Sequence, residues 1–508
     1  MMDKKNLRIA LMLTIVAAIL RVFRIGSQSL WVDEILTLGK TIPKHDLNIW
    51  DYLKYNIQGP FHSLVVYLFH FISSSDAWLR LPSALAGALS VFFFYRWVGI
   101  WLGYPTARLA ATLLVVHPLH IYYSQEIRAY GFLLLFATMT GFYLHSMLQE
   151  DKTSTRLSYA VGIALGALSN FTAAFLYVVH AAIYIIRKPF ESRRVWRWVV
   201  ISLVILVLIA PWVYRIYVII DVQKLVTPVK PGEIVDTQRL RGETTITASA
   251  IPYLFYTFSV GYSLGPSLRD LHRSPELSAV IGKYWLPILW VAVLFGALFA
   301  AGWWRLVRSD LPWIQVALYL LVPLGLVLIL CWQNAKAFNV RYLLVSLPVY
   351  LCVIAVGVQA LGTRVKNAAT VLVVGTMVVS LGLYYNHDRY AKEDVRGAVD
   401  YIEQNEAADQ CILVPTVTEV FDYYYDGPNP VRTVWTPWGT TRDQVEERLE
   451  KALAECRIFW YVNAREWDHD RDGYIREYLG SKYTVRRTVG GFAGVEIILL
   501  ENSSQVPH

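Results

Sequence analysis

Eleven apolar stretches, most of them about 17–25 residues long, recur along this 508-residue chain and constrain its fold more than any other feature. They lie at 7–25, 80–102, 107–123, 129–148, 157–169, 171–187, 195–220, 281–303, 311–333, 341–361 and 367–386. A helix needs about 20 apolar residues to cross the hydrocarbon of a bilayer. In lipid, only helices and closed barrels satisfy their own backbone groups. The expected fold is therefore a polytopic α-helical membrane domain over residues 1–386, with large loops at 26–79 and 221–280. The pair around Asn170 is short for two crossings, but Ser169 and Asn170 supply a polar apex, so it reads as a hairpin of short or tilted helices. The alternative, one long tilted span, would invert everything downstream. The apolar run at 61–72 is too short to cross and reads as an interfacial or re-entrant helix. The N-terminus (Asp3, Lys4, Lys5, Arg8, then an apolar run) is built like a signal sequence. No small-residue cleavage site follows, so it reads as an uncleaved first span.

Composition agrees: 55% of residues are hydrophobic and 17% charged, where a soluble protein carries about a quarter charged residues. The net charge of +8 hides two opposite parts, because the segment from His387 onward has 14 Lys/Arg against 22 Asp/Glu. With the N-terminus inside and the hairpin real, the inside segments hold 16 basic residues against five acids. The 26–79 loop has three Lys against five acids, and 221–280 balances at six and six. The positive-inside rule then orients the chain: N-terminus cytoplasmic, the 26–79 loop and the C-terminal tail outside. The basic excess lies between spans, so it reads as topology and not as a nucleic-acid surface.

From about residue 387 to 508 the pattern changes to alternating helices and strands, which implies a small α/β domain. Helical periodicity covers 392–405 and 441–455, with a further helix near 471–479. Extended segments fall at 411–415, 457–462, 482–488 and 494–500. No Gly-rich phosphate loop follows a strand, so nucleotide binding is unsupported. Cys331 and Cys352 sit in apolar runs and read as packing residues. Cys411 and Cys456, in the tail, could pair, although their spacing matches no metal site.

Four polar constellations sit at the expected outer ends of spans. The first is the adjacent pair Asp33 and Glu34, informative because a carboxylate at a bilayer surface is costly unless solvated, paired or used. The second runs over 58–62, ends in His62 and is closed by Arg80. The third, 122–130, carries Tyr123, Glu126 and Arg128. The fourth, 334–342, carries Lys336, Arg341 and Tyr342. Transfer from a phosphorylated lipid needs such a set. A carboxylate can take the proton of an acceptor hydroxyl, cations can hold the departing phosphate, and Tyr side chains can line a sugar site. Each residue also has an ordinary counterpart: solvated loop acids, headgroup-anchoring arginines, a hydrogen-bonded structural histidine at His62. No clustered ligand set argues for a metal, so no cofactor is called for, and a divalent ion is left open. A transporter or lipid flippase and a non-catalytic scaffold compete with the enzyme reading. Against transport, no matched pair of Gly/Pro-broken spans is present.

The run 20–34, Leu-Arg-Val-Phe-Arg-Ile-Gly-Ser-Gln-Ser-Leu-Trp-Val-Asp-Glu, resembles the first-loop signature of GT-C membrane glycosyltransferases. These include the protein O-mannosyltransferases and the aminoarabinose transferases of lipid A in bacteria and archaea. The runs at 59–62, 79–87, 124–130 and 341–344 are similar to further motifs of that superfamily, in order, so the resemblance covers about residues 1–390. It implies a GT-C fold of about 11 transmembrane helices with a C-terminal soluble α/β domain, in the plasma or inner membrane. It also implies inverting transfer of a sugar from a polyprenyl-phosphate donor, without a nucleotide sugar, to an acceptor hydroxyl on the outer face. Asp33 matches the position of the catalytic acid, with Glu34 beside it, and Glu126 matches the second acid. The substrate-binding set would be His62, Arg80, Tyr123, Glu126, Arg128, Lys336, Arg341 and Tyr342. The implied partners are the lipid-linked donor, membrane lipids and an acceptor that is a protein, a lipid or a polysaccharide, with no nucleic acid. One departure is plain: a single Pro60 followed by Phe61 and His62 stands where the family usually has Pro-Pro-Leu.

Overall fold

The computed structural model describes residues 2–41, 59–187, 192–219, 248–274, 276–333, 338–434, 436 and 440–502. Every one of the eleven apolar stretches carries helix. Seven helices among the described residues are long and apolar enough to cross a membrane: Asp76–Trp101, Tyr130–Gln149, Val195–Val218, Leu277–Val307, Trp313–Trp332, Val340–Gln359 and Thr363–Asn386. The other four stretches form helices of 13–19 residues, Lys4–Val22, Tyr104–Val116, Thr153–Ala167 and Ala173–Arg187. Large apolar side chains such as Met12, Ile15, Val207, Leu286, Val293 and Val371 stand exposed on these helices. Lipid accommodates such a surface and water does not. The chain is a multi-pass membrane protein.

Two segments differ from expectation. The 107–123 stretch is not one helix, because it stops at His117 and resumes as Pro118–Ser124. Proline supplies no N–H to the ladder and sits without cost in a first turn, which is where Pro118 lies. Within the 221–280 loop, 250–260 forms an apolar helix, Ala250–Val260, too short to cross. The Asn170 region is a break between two helices and not one long helix. Asn170 Oδ1 accepts hydrogen bonds from the Thr172 N–H and hydroxyl, and the Asn170 N–H donates to the Gly166 carbonyl. The 61–72 run forms the 11-residue helix Pro60–His70, with Leu64 and Leu68 exposed.

By internal packing the chain divides into two compact units. The first comprises residues 1–25, 40–265 and 284–383. Its core runs along the Asp76–Trp101 and Tyr130–Gln149 pair and around the Leu347–Gln359 helix, in which every residue from Leu347 to Val358 is buried. Close approach is obligatory where Gly302 and Gly357 face neighbouring backbone. A Cβ on Gly302 would strike the Val353 carbonyl, and one on Gly357 the Leu298 carbonyl. Small residues at such crossings are the usual means of packing helices in lipid.

The second unit comprises residues 26–39, 266–283 and 384–508. Its sheet has the order β2 (Val431–Arg432), β1 (Gln410–Leu413), β3 (Ile458–Ala464), β5 (Val495–Asn502) and β4 (Tyr483–Phe492). β1 runs parallel to β2 and β3, whereas β5 is antiparallel to β3 and β4. The Arg442–Leu453 and Tyr474–Lys482 helices bury Leu449, Leu453, Ile475 and Leu479 with Phe459, Tyr461 and Leu500. Cys411 and Cys456 are disulfide-bonded with a Cα separation of 5.8 Å, and Cys331 and Cys352 are buried thiols. Two segments remote in sequence join this unit. Arg389 bonds Asp270 at 2.8 Å, tying 266–283 to it, and residues 26–39 bring the acidic pair.

The bridge closes a 45-residue separation, and loss of such a cross-link costs about 2–4 kcal/mol. Cys411→Ser/Cys456→Ser in the full-length protein should therefore lower the denaturant midpoint for proteolysis of the tail. An unchanged midpoint would show that the sheet stands without it.

Candidate functional site

In the second unit, the acidic pair opens the Val32–Thr41 helix. Trp31 occupies the N-cap position, its carbonyl accepting from Glu34 N–H at 2.8 Å and Ile35 N–H at 3.1 Å. Glu34, at the third helical position, reaches back so that its Oε2 accepts from the Trp31 N–H at 3.4 Å, half of a capping box. Glu34 is fully buried, and Lys392 Nζ donates to the same Oε2 at 3.0 Å. Asp33, one residue earlier, is 8% exposed and sits in the first turn, where the helix dipole favours an anion.

Residues 26–30 are tied down along their length. The Leu30 N–H donates to the Tyr424 hydroxyl at 2.8 Å, and the Ser29 hydroxyl to Asp394 Oδ1 at 2.9 Å. The Arg396 guanidinium donates to the Gly26 and Ser27 carbonyls, and the Lys392 N–H to Gln28 Oε1. The Trp31 ring lies 5.7 Å from Lys392 Nζ and 5.9 Å from the Arg465 guanidinium, both within cation–π range. Arg465 also pairs with Glu393 at 3.1 Å. Burial opposes ionisation of Glu393, but the Arg465 charge and hydrogen bonds outweigh it and hold the carboxyl below its ordinary value. Burial likewise opposes the charge on Arg465, and Glu393 first, then Asp468 and Asp33, more than offset it.

The first unit gathers most of the other predicted residues. The Tyr123 hydroxyl bonds that of Tyr262 at 2.9 Å, and the Tyr123 ring meets Tyr130 edge-on at 4.7 Å. Tyr262 feels the charges of both Arg341 and Glu126, so the third and fourth constellations meet around it. Arg128 lies over Tyr130 at 5.9 Å and Arg341 over Tyr342 at 5.6 Å, while the Tyr342 ring packs on Phe171. Glu126 is fully buried. His62 is 2% exposed against Phe132, and burial, helped by the Arg128 charge, pushes its imidazole down to about 3, so it is neutral at physiological pH.

Arg80 is placed differently. It is 2% exposed and donates to the Ile25 carbonyl at 2.9 Å, a backbone clamp rather than a headgroup anchor. Gln125 acts alongside, its amide donating to the carbonyls of Arg21 and Phe23. Lys336 lies outside the described residues. Sequence reasoning missed Tyr262, which follows the Ala250–Val260 helix and whose aromatic run was a readable signal. It also missed Lys392, for which a lysine in a charged tail gave none. Among the described residues, no three His, Cys, Asp or Glu side chains cluster to hold a metal.

The family profile for dolichyl-phosphate-mannose-protein mannosyltransferase matches residues 58–214. No curated protein matches in sequence. Among solved structures, ArnT from Cupriavidus metallidurans bound to undecaprenyl phosphate is similar with a TM-score of 0.54 at 13% identity, covering 98% of this chain and 99% of that one. The same protein in the apo state gives 0.53 at 14% identity over 96% and 97%. The Archaeoglobus fulgidus oligosaccharyltransferase in its apo form gives 0.50 at 11% identity, over 99% of this chain and 75% of that one. The fold is GT-C.

Acid sensitivity follows from the Glu393–Arg465 pair. Because the folded pKa of Glu393 is depressed, the pair's contribution is complete above the ordinary Glu range and is lost as pH falls through the lower folded value. Arg465→Leu should move the acid-unfolding midpoint of the tail to higher pH, followed by tryptophan fluorescence.

Proposed function

We propose that this GT-C glycosyltransferase moves a sugar from a polyprenyl-phosphate donor to an acceptor hydroxyl at the outer face of the membrane, with inversion. Asp33 is the general base that takes the acceptor proton as the hydroxyl attacks the anomeric carbon. Arg128 and Arg341 receive the negative charge that develops on the departing phosphate. Tyr123 and Tyr262 supply hydroxyls and ring faces suited to a sugar. Arg is the apt cation here because its planar fork matches two phosphate oxygens at once.

The observation that carries the reading is the acidic pair. Two adjacent carboxylates are held almost out of water at a helix N-terminus, and one of them, Glu34, is compensated by a buried lysine. That construction suits an anion kept for use better than it suits a solvated loop. The undecaprenyl phosphate bound by the structurally similar ArnT points to the class of donor.

An outward-facing tail is supported by its disulfide, since such bonds persist in oxidising compartments. Charge asymmetry between the loops agrees.

Loss of a positioned general base costs about 10²–10⁴ in rate. Asp33→Asn should lose that much transfer from a radiolabelled polyprenyl-phosphate sugar and still bind donor, whereas Glu34→Gln should be milder. Full activity in Asp33→Asn would make Glu126 the base to test next. Orientation is checked in intact cells with an impermeant thiol reagent. Asp443→Cys is expected to label and Lys152→Cys is not, and the reverse pattern would invert the topology.

A further inference from the structure

The contacts around the acidic pair come from the tail. Lys392 is one of 14 basic residues in a tail with 22 acids, and it is only 6% exposed, with its ammonium on a carboxylate 358 positions away. Lysine is rarely buried unless paired, and the pair here falls on the residue that shapes the turn carrying Asp33. Glu34 Oε2 receives both Lys392 Nζ and the Trp31 N–H, so the lysine holds the carboxylate that caps the first turn of the helix. The Lys392 ammonium also faces the Trp31 ring, and Arg465 lies within cation–π range of the same ring. Both ends of the Gly26–Glu34 run are therefore gripped, Arg396 holding the Gly26 and Ser27 carbonyls and Lys392 the Glu34 carboxylate.

We infer that Lys392 of the C-terminal tail is a positioning residue which fixes the first turn of the Val32–Thr41 helix and so aims Asp33. The inference rests on the reading of Asp33 as the base. Lys392 acts through Glu34 and touches no reacting atom in this account. Its ammonium also balances the Glu34 charge, one residue from Asp33. The other charged groups of the tail around the turn are Arg465, Glu393, Asp394 and Arg396, of which Glu393 is itself paired with Arg465 and Asp394 bonded to Ser29.

The test uses the full-length protein in nanodiscs as wild type, Lys392→Met, Lys392→Arg and Glu34→Gln/Lys392→Met. Removing one partner of a buried pair strands the other charge, whereas replacing both with neutral side chains of similar shape does not. Backbone hydrogen exchange over 31–35 is read beside kcat and KM with radiolabelled polyprenyl-phosphate mannose and arabinose donors. Lys392→Met should exchange at least tenfold faster over 31–35 and lose at least tenfold in kcat with KM for donor unchanged. Lys392→Arg should recover most of both, and the double variant should recover the protection. Lys392→Arg keeps the test decisive where Lys392→Met fails to accumulate, because a folded, slowly exchanging but tenfold slower Lys392→Arg would overturn the positioning role. Wild-type kcat in Lys392→Met overturns it as well, whatever the exchange. A wild type inert toward both donors would count against the transferase reading, and the exchange comparison would then decide the clamp by itself: unchanged protection in Lys392→Met refutes it.

Discussion

A cation taken out of water has to be met by a carboxylate or by carbonyl oxygens, and three buried cations of this chain follow that rule. Arg21, fully buried, donates to the carbonyls of Ala17, Leu114 and Val115 and bonds His120 Nδ1 at 2.9 Å. The last two of those carbonyls lie in the final turn of the Tyr104–Val116 helix, and that of Leu114 accepts from the His117 N–H as well. Arg80 takes the Ile25 carbonyl, and Lys392 takes the Glu34 carboxylate. The first two fix the exit of the first helix within the membrane unit. The third fixes the acidic turn within the other unit.

Much of this architecture was legible in the sequence because it depends on local periodicity. Apolar runs of spanning length became helices, and the tail's short extended segments became β1, β3, β4 and β5 with few boundary changes. The break at His117–Pro118 was in principle readable, since Pro118 supplies no N–H to the helical ladder, but the apolar run across it outweighs a single residue in any hydropathy reading. The Ala250–Val260 helix was hidden for the opposite reason, an aromatic segment too short to register as a span inside a polar loop.

The site was legible only as far as motifs carry. Asp33, Glu126, Arg128 and Arg341 are marked by their neighbours in sequence, and the structure puts Glu126 and Arg341 within electrostatic reach of one tyrosine, Tyr262. Lys392 and Arg465 are not marked at all. The partner of Lys392 lies several hundred residues away, and a lysine in an acidic, helix-rich tail reads as an ordinary solvated charge. Pairings of that separation come from tertiary structure, which periodicity does not encode.

Burial separates the arginines into two kinds. Arg80 is 2% exposed and spends a donor on the Ile25 backbone carbonyl, which fits a residue that shapes the loop and would have to leave that bond to reach a lipid phosphate. Arg128 and Arg341 are half-buried and each lies over a tyrosine ring at about 6 Å, within cation–π distance. A guanidinium resting on an aromatic ring directs its N–H donors within its own plane, the geometry in which two phosphate oxygens are met. Arg80 is thus held through the backbone at the exit of the first helix, and Arg128 and Arg341 lie against tyrosine rings.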